Sequence, residues 1–253
     1  MKMLFLGTYG AVPSGASGNT SFIVSAGGEY ILIDASGNPL QGIKAAGVNP
    51  DELTTLVLTH AHVDHIYALP SLVHALFCAG RKKPLTIVSN PETVIKAKGL
   101  LDFFGLNRKK IGFDIIYSTE KYKSNMGSFK IELFPGAHSV PSSMVRISES
   151  GGKAVFYTAD TGSIADICGL AKGCRVMIHE TSGSKSTDAK LSKDGHSSGY
   201  NAGINARCAR VKELFLCHFS TDADAAPEAM GKEARLNYGG EIVIPEPFKW
   251  YTI

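Results

Sequence analysis

The chain has no stretch that could cross a membrane as a helix. Its longest apolar runs, such as Met3–Leu6 and Leu214–Leu216, fall far short of the ~18 residues a span needs. Lys2 is followed by only a handful of apolar residues, too few for a secretory leader, and no small-residue cleavage site follows. Both absences point to a cytoplasmic protein with no membrane partner. Cysteine is sparse and unpatterned. Cys78, Cys168, Cys174, Cys208 and Cys217 are odd in number and show no CxxC spacing, so they read as small buried residues. Charged residues make up 19% of the chain, below the usual ~25%. With 44% hydrophobic residues, wholesale disorder is excluded. Linkers, low-complexity tracts and short repeats are missing too, so the 253 residues are expected to form a single domain over 1–253.

The net charge of +3 permits an anionic substrate without demanding one. Three basic groupings, Arg81-Lys82-Lys83, Arg108-Lys109-Lys110 and Lys185/Lys190/Lys193, read first as solvated faces.

Short β-branched and apolar runs predict strands at Met3–Gly7, Ser21–Ser25, Tyr30–Asp34, Thr54–Thr59 and Leu85–Ser89, with Gly27-Gly28 as a hairpin turn. Apolar residues at helical spacing (Ile66, Leu69, Leu72, Val73, Leu76, Phe77) predict one helix over Asp64–Cys78. Asn90 as N-cap and Pro91 at the first helical position predict another over Pro91–Phe104. The second half repeats the pattern. Strands are predicted at Gly112–Tyr117, Phe129–Phe134, Met144–Ser148, Ala154–Thr158, Val176–His179 and Lys212–Cys217, with a final one at Glu241–Ile244. Helices are predicted at Ile164–Ala171, Ser198–Arg210 and Ala225–Tyr238. Two halves that each run from strands into helices suggest an α/β fold, a four-layer αββα sandwich with two sheets face to face.

The histidines carry the chemistry. His60-Ala61-His62-Val63-Asp64-His65 places four potential ligands within six residues, directly after a predicted strand. Such crowding is hard to explain by packing, because these groups repel or stay unsatisfied unless something binds them. Neutral imidazole and carboxylate are zinc-type ligands. His138, Asp160 and His218 each follow a predicted strand as well. Together the seven donors suit two metals roughly 3.5–4 Å apart, with a bridging carboxylate and open positions for water.

HAHVDH resembles the HxHxDH signature of the metallo-β-lactamase superfamily, and His138, Asp160 and His218 fit its remaining motifs in order. The resemblance narrows to the ribonuclease Z-like phosphodiesterase branch. Phe5-Leu6-Gly7-Thr8 with Gly10-Ala11-Val12-Pro13-Ser14 and Asn19 is similar to its opening. His179-Glu180-Thr181, Gly195-His196-Ser197-Ser198 and His218-Phe219-Ser220 are similar to its HEAT, GHST and HFS motifs. The branch's tRNA-processing members carry a long arm between their third and fourth metal motifs. Here His138 and Asp160 are about twenty residues apart, room for one hairpin around Gly151-Gly152 and not for an arm.

The resemblance implies that His60, His62 and His138 bind one zinc and Asp64, His65 and His218 a second, bridged by Asp160. Manganese or iron are alternatives. Asp34 would orient a ligand. It also implies a metal-dependent hydrolase, most closely an endonuclease or phosphodiesterase acting on RNA 3′ ends or on a small or cyclic phosphodiester. Metal-activated hydroxide would attack phosphorus, Asp64 would help orient the water, and His196 held by Glu180 would protonate the leaving group. The substrate would be its phosphodiester partner, and a homodimer is expected from the resemblance. A lactone, thioester or β-lactam hydrolase on the same scaffold is the alternative. Lys185, Lys190 and Lys193 precede His196 on an expected mobile loop, where they could steer phosphates. His179 reads as structural and His74 as a partly buried helix residue.

Overall fold

In the computed structural model, residues 1–119, 121–123, 127–164, 166–222 and 225–253 are described. Their strands are β1 (Lys2–Tyr9), β2 (Gly18–Asn19), β3 (Ser21–Ala26), β4 (Glu29–Ile33), β5 (Leu53–Leu58), β6 (Leu85–Ser89), β7 (Ile115–Ser118), β8 (Lys121–Lys123), β9 (Phe129–Pro135), β10 (Ser143–Glu149), β11 (Ala154–Tyr157), β12 (Val176–Glu180), β13 (Glu213–Cys217), β14 (Glu241–Val243) and β15 (Trp250–Thr252). The helices are α1 (Pro39–Ala45), α2 (Val63–Ile66), α3 (Leu69–Cys78), α4 (Pro91–Phe103), α5 (Arg108–Ile111), α6 (Ile167–Leu170), α7 (Asp188–Asp194), α8 (Gly199–Ala209) and α9 (Pro227–Arg235).

Two sheets form. One runs β15-β1-β3-β4-β5-β6-β7 with β2 on β1, the other β14-β13-β12-β11-β10-β9-β8. Each is antiparallel at one end and parallel at the other: β4-β5-β6-β7 and β11-β12-β13-β14 are the parallel halves. Alternation along the strands makes the layers. Met3, Phe5, Phe22 and Val24 point between the sheets, where they meet Val145, Val155, Phe215 and Cys217. Leu4, Ile23 and Leu32 point outward to Leu69, Leu72 and Leu76 of α3. Leu214 and Leu216 point outward on the other side to Ala202 and Ala206 of α8 and Met230 of α9. Strands covered on both faces must be apolar at successive positions, as these are. This is the expected four-layer αββα arrangement.

Several sequence expectations are corrected. The helix over Asp64–Cys78 is two helices, α2 and α3. Pro70 sits in the first turn of α3, and it cannot donate the bond a continuous helix would need. The Ala68 N–H bonds the Ala35 carbonyl instead, 3.0 Å away, which ties the break to the end of β4. The strand at Glu241–Val243 is not the final one, because β15 follows and pairs antiparallel with β1. Arg81 is buried rather than solvated. Its guanidinium donates to the carbonyls of Pro50, Leu53, Lys83 and Pro84. Cys168 and Cys208 form a disulfide that links α6 to α8, and Cys78 is exposed, so only Cys174 and Cys217 are buried thiols. His74 is exposed on α3, its Nε2 3.7 Å from the Cys78 sulfur. Among the described residues no helix is long and apolar enough to cross a membrane.

Candidate metal centre

The site lies where parallel strands of both sheets end. Asp34 follows β4, His60 follows β5, Asp160 follows β11, and His218 follows β13. Three residues at these ends adopt positive φ without being glycine: Asp34 (56°), Ala159 (49°) and His218 (58°). Such backbone costs ~1–3 kcal/mol each and persists where surrounding structure imposes it. It turns each chain sharply off its strand, so the side chains converge instead of continuing the strand's alternation.

The donors assemble into two adjoining groups. His60, His62, His138 and Asp160 form one, and Asp64, His65 and His218 the other, with ligand atoms inside each group within 4.8 Å of one another. His62 Nδ1 lies 3.2 Å from His60 Nε2 and 2.9 Å from His138 Nε2. In the second group His65 Nε2 and His218 Nε2 are 3.4 Å apart, and Asp64 Oδ2 is 3.4 and 3.5 Å from them. Asp160 Oδ2 reaches both groups: it is 3.1 Å from His218 Nε2, 3.5 Å from His65 Nε2, 3.7 Å from His60 Nε2 and 3.9 Å from His138 Nε2. All seven residues expected as ligands are thus brought together.

The opposite ring nitrogens are each held by a neighbour. His60 Nδ1 meets the Thr59 hydroxyl at 3.0 Å, and His65 Nδ1 meets Asp34 Oδ2 at 2.8 Å. His138 Nδ1 donates to the Gly195 carbonyl at 2.8 Å, and His218 Nδ1 meets the Ser182 hydroxyl at 2.9 Å. Metal-bound histidines are oriented in this way. Two glycines make room. A Cβ on Gly10 would sit 2.9 Å from His218 Cε1, and one on Gly195 (φ 81°) would sit 2.7 Å from His138 Cα.

Electrostatics shows what the centre lacks on its own. Burial, helped by its imidazole neighbours, holds His60 well below the ordinary histidine range, and His62 and His138 are lowered too. Burial also opposes charge on His65 and His218, but the carboxylates win: Asp160 and Asp34 hold His65 well above its usual value, and His218 is pushed up to about 10. Burial of Asp160 is overcome by His218 and His65, which hold its carboxyl well below the usual range. The buried carboxylates thus favour positive charge at this centre, which divalent cations can supply. Asp160 Oδ1 is buried with no hydrogen-bond partner among the described residues. An orphaned carboxylate oxygen among converging imidazole nitrogens fits divalent metal binding.

Beside this centre, Glu180 Oε1 lies 3.1 Å from His196 Nδ1. Glu180 is fully buried, and its Oε1 also accepts the Thr161 N–H at 3.0 Å. The His196 ring sits 4.9 Å from the His138 ring and 5.5 Å from the His218 ring. Its outer edge faces a cleft of about 330 Å³ lined by Gly10, Val12, Ser182, His218, Phe219 and Asp222. His179 is structural, as expected: Nδ1 donates to the Glu180 carbonyl at 2.7 Å, and Nε2 accepts from Asn205 at 2.9 Å.

The segment before His196 differs from the expected mobile loop. It forms the helix α7, and the Lys185 ammonium sits 3.8 Å from the Tyr200 ring centre. Lys185 is thereby held at the protein surface, while Lys190 and Lys193 are exposed. Thr59, Ser182 and the Gly195 carbonyl were not foreseen. Their only signal in the sequence is adjacency to His60, Glu180 and His196.

The family model described as anti-Pycsar protein Apyc1 matches residues 1–233. A ribonuclease Z of Methanothermobacter thermautotrophicus is 27% identical over 270 residues, covering 87% of this chain and 87% of its own. Among solved structures, the metallo-β-lactamase fold protein YhfI of Bacillus subtilis superposes with a TM-score of 0.84 at 24% identity, covering 99% of this chain and 98% of its own. Human short-form tRNase Z superposes with a TM-score of 0.81 at 21% identity, covering 100% and 99%. The fold is the metallo-β-lactamase fold.

Proposed function

The chain belongs to the anti-Pycsar protein Apyc1 family, and we propose that it is a dinuclear-metal phosphodiesterase acting on a small or cyclic phosphodiester. The observation that carries this reading is the buried Glu180 held 3.1 Å from His196, against the rings of His138 and His218. A phosphodiester's leaving alkoxide needs a proton, and an imidazole backed by a buried carboxylate beside the donor cluster is placed to supply it.

His60, His62 and His138 would hold one metal, and Asp64, His65 and His218 the other, with Asp160 between them and Asp34 orienting His65. Imidazole and carboxylate donors suit zinc, with manganese and iron as alternatives. When bound, the two cations supply a water of lowered pKa and positive charge for the phosphoryl oxygens. The chain's own groups do the rest. Asp64, half-exposed beside His65 and His218, orients the attacking water. Burial disfavours charge on His196, but Glu180 overrides it and raises the imidazole pKa. With Nδ1 turned to Glu180, the His196 Nε2 proton is the one delivered to the leaving oxygen.

Substrate size follows from the surroundings. Between His138 and Asp160 the chain makes a short loop and the tight β10–β11 hairpin, whose strands pair from Val145–Tyr157 to Ser148–Ala154. That hairpin leaves no arm for gripping a large RNA, and the cleft is of small-ligand size. An endonuclease acting on RNA 3′ ends is the second reading, supported by the likeness to ribonuclease Z. The same proposal takes residues 1–253 as one catalytic domain, placed in the cytoplasm and paired as a homodimer.

Hydrolysis assays with the zinc-loaded protein test it, using bis(p-nitrophenyl) phosphate, a small cyclic phosphodiester and a 3′-extended tRNA precursor. Turnover of the first two is the expected result, with turnover of the cyclic phosphodiester, whose leaving alkoxide needs the proton, lost about a hundredfold in His196→Ala. Turnover of a lactone or thioester instead, indifferent to His196→Ala, would overturn it.

A further inference from the structure

The function just proposed uses Glu180, His196 and His218 but leaves the hydroxyl between them without a role. Ser182 Oγ donates to Glu180 Oε2 at 2.7 Å. It also lies 2.9 Å from His218 Nδ1 and 3.2 Å from His196 Nδ1. A serine hydroxyl has one proton and two lone pairs. The proton belongs on the carboxylate, because an ionised Glu180 can only accept. Glu180 Oε1 is already occupied by the Thr161 N–H and by His196. The two lone pairs are then left to accept from the two imidazoles, so every hydrogen-bonding position of this hydroxyl is used.

That arrangement has a consequence for both rings. If the Nδ1 of His218 donates to Ser182, its Nε2 is the nitrogen turned toward Asp160 and Asp64, 3.1 and 3.5 Å away. If the Nδ1 of His196 is shared between Ser182 and Glu180, its Nε2 is the nitrogen left for the cleft. The two rings stack 5.5 Å apart and only 19° from parallel, as one shared acceptor between them would hold them.

Resting on the phosphodiesterase reading, we propose that Ser182 is a positioning residue that ties the metal ligand His218 to the Glu180–His196 pair. It sets the tautomer and tilt of both rings at once. Metal retention and proton delivery thereby share one hydroxyl.

The test compares the wild type with Ser182→Ala, Ser182→Thr and Ser182→Val. Thr and Val differ only in the hydroxyl, so that pair separates its loss from a change of volume even if Ser182→Ala folds poorly. Two readouts are taken on each protein: the concentration of a chromophoric chelator that strips half the zinc, and kcat and KM for a small cyclic phosphodiester, whose leaving alkoxide needs a proton. The expected result is a 10–100-fold weaker hold on zinc in Ser182→Ala and Ser182→Val. At saturating zinc, kcat falls at least tenfold with KM little changed. Ser182→Thr stays within about threefold of the wild type in both. Loss of zinc with kcat intact, loss of kcat with zinc intact, no loss of either, or equal damage in Thr and Val would each overturn the proposed tie. The chelator readout needs no substrate. A wild type that binds zinc but cleaves no phosphodiester would therefore sink the functional reading while still deciding whether Ser182 supports His218.

Discussion

Asp34 Oδ2 lies 2.8 Å from His65 Nδ1, and neither side chain reaches solvent. The carboxylate also accepts the Thr59 N–H at 2.8 Å and the Thr59 hydroxyl at 3.0 Å. It thus joins the end of β4 to the start of the histidine cluster after β5. Asp34→Ala leaves the His65 and Thr59 donors buried without an acceptor, at ~1–3 kcal/mol each. Zinc affinity should drop 10–100-fold by chelator competition, and the metal-free melting temperature should fall too.

The proton delivery proposed for His196 sets a direction for pH dependence. Its folded-state pKa is raised by Glu180 against the opposing effect of burial. The protonated, active form is present below that pKa and lost as pH rises through it. The kcat profile of the wild type should therefore fall on its alkaline side. In Glu180→Gln the supporting charge is gone, and that fall should move to lower pH. An unmoved alkaline limb would assign it to a different group.

Asp160 reaches imidazoles of both donor groups, and its Oδ1 has no hydrogen-bond partner among the described residues. Zinc at a hundred times its dissociation constant should stabilise the fold by about 2.7 kcal/mol, visible as a rise in melting temperature that chelator reverses. Asp160→Asn should remove most of that rise, because the neutral amide cannot balance two cations.

The two sheets are joined through Phe5. Its ring stacks on Phe22 at 5.0 Å within one sheet and on Phe215 at 6.1 Å across to the other. Phe5→Ala should cost about 3–5 kcal/mol in urea unfolding. Since Phe5 belongs to the core between the sheets and not to the donor groups, kcat below the unfolding transition should stay near the wild-type value.

The donor cluster proposed to hold metal was legible in the sequence because its signal is local and chemical. Four ligands in six residues after an apolar strand have little other physical explanation, and His138, Asp160 and His218 repeat the same strand-end context. The layers were legible because each half of the chain runs from strands into helices, a pattern that packs as two sheets face to face with helices outside. Where the sequence misled, the deciding contact came from far along the chain. Arg81 reads as one of three surface cations, yet carbonyls from Pro50 and Leu53 enclose it. Cys168 and Cys208 carry no pairing signal, because only the packing of α6 on α8 brings them together. Lys185 rests on Tyr200, a partner supplied by the fold.

The sequence by itself determined the donor inventory, the strand ends that present it and the two-sheet architecture. Each rests on residue chemistry or on periodicity within a few residues. Only the tertiary structure decided which nitrogen each ring turns inward. It also decided that Ser182 stands between the metal ligands and the Glu180–His196 pair. Ring tautomer and tilt depend on hydrogen-bond partners from other strands and loops, and those partners meet only once both sheets have packed.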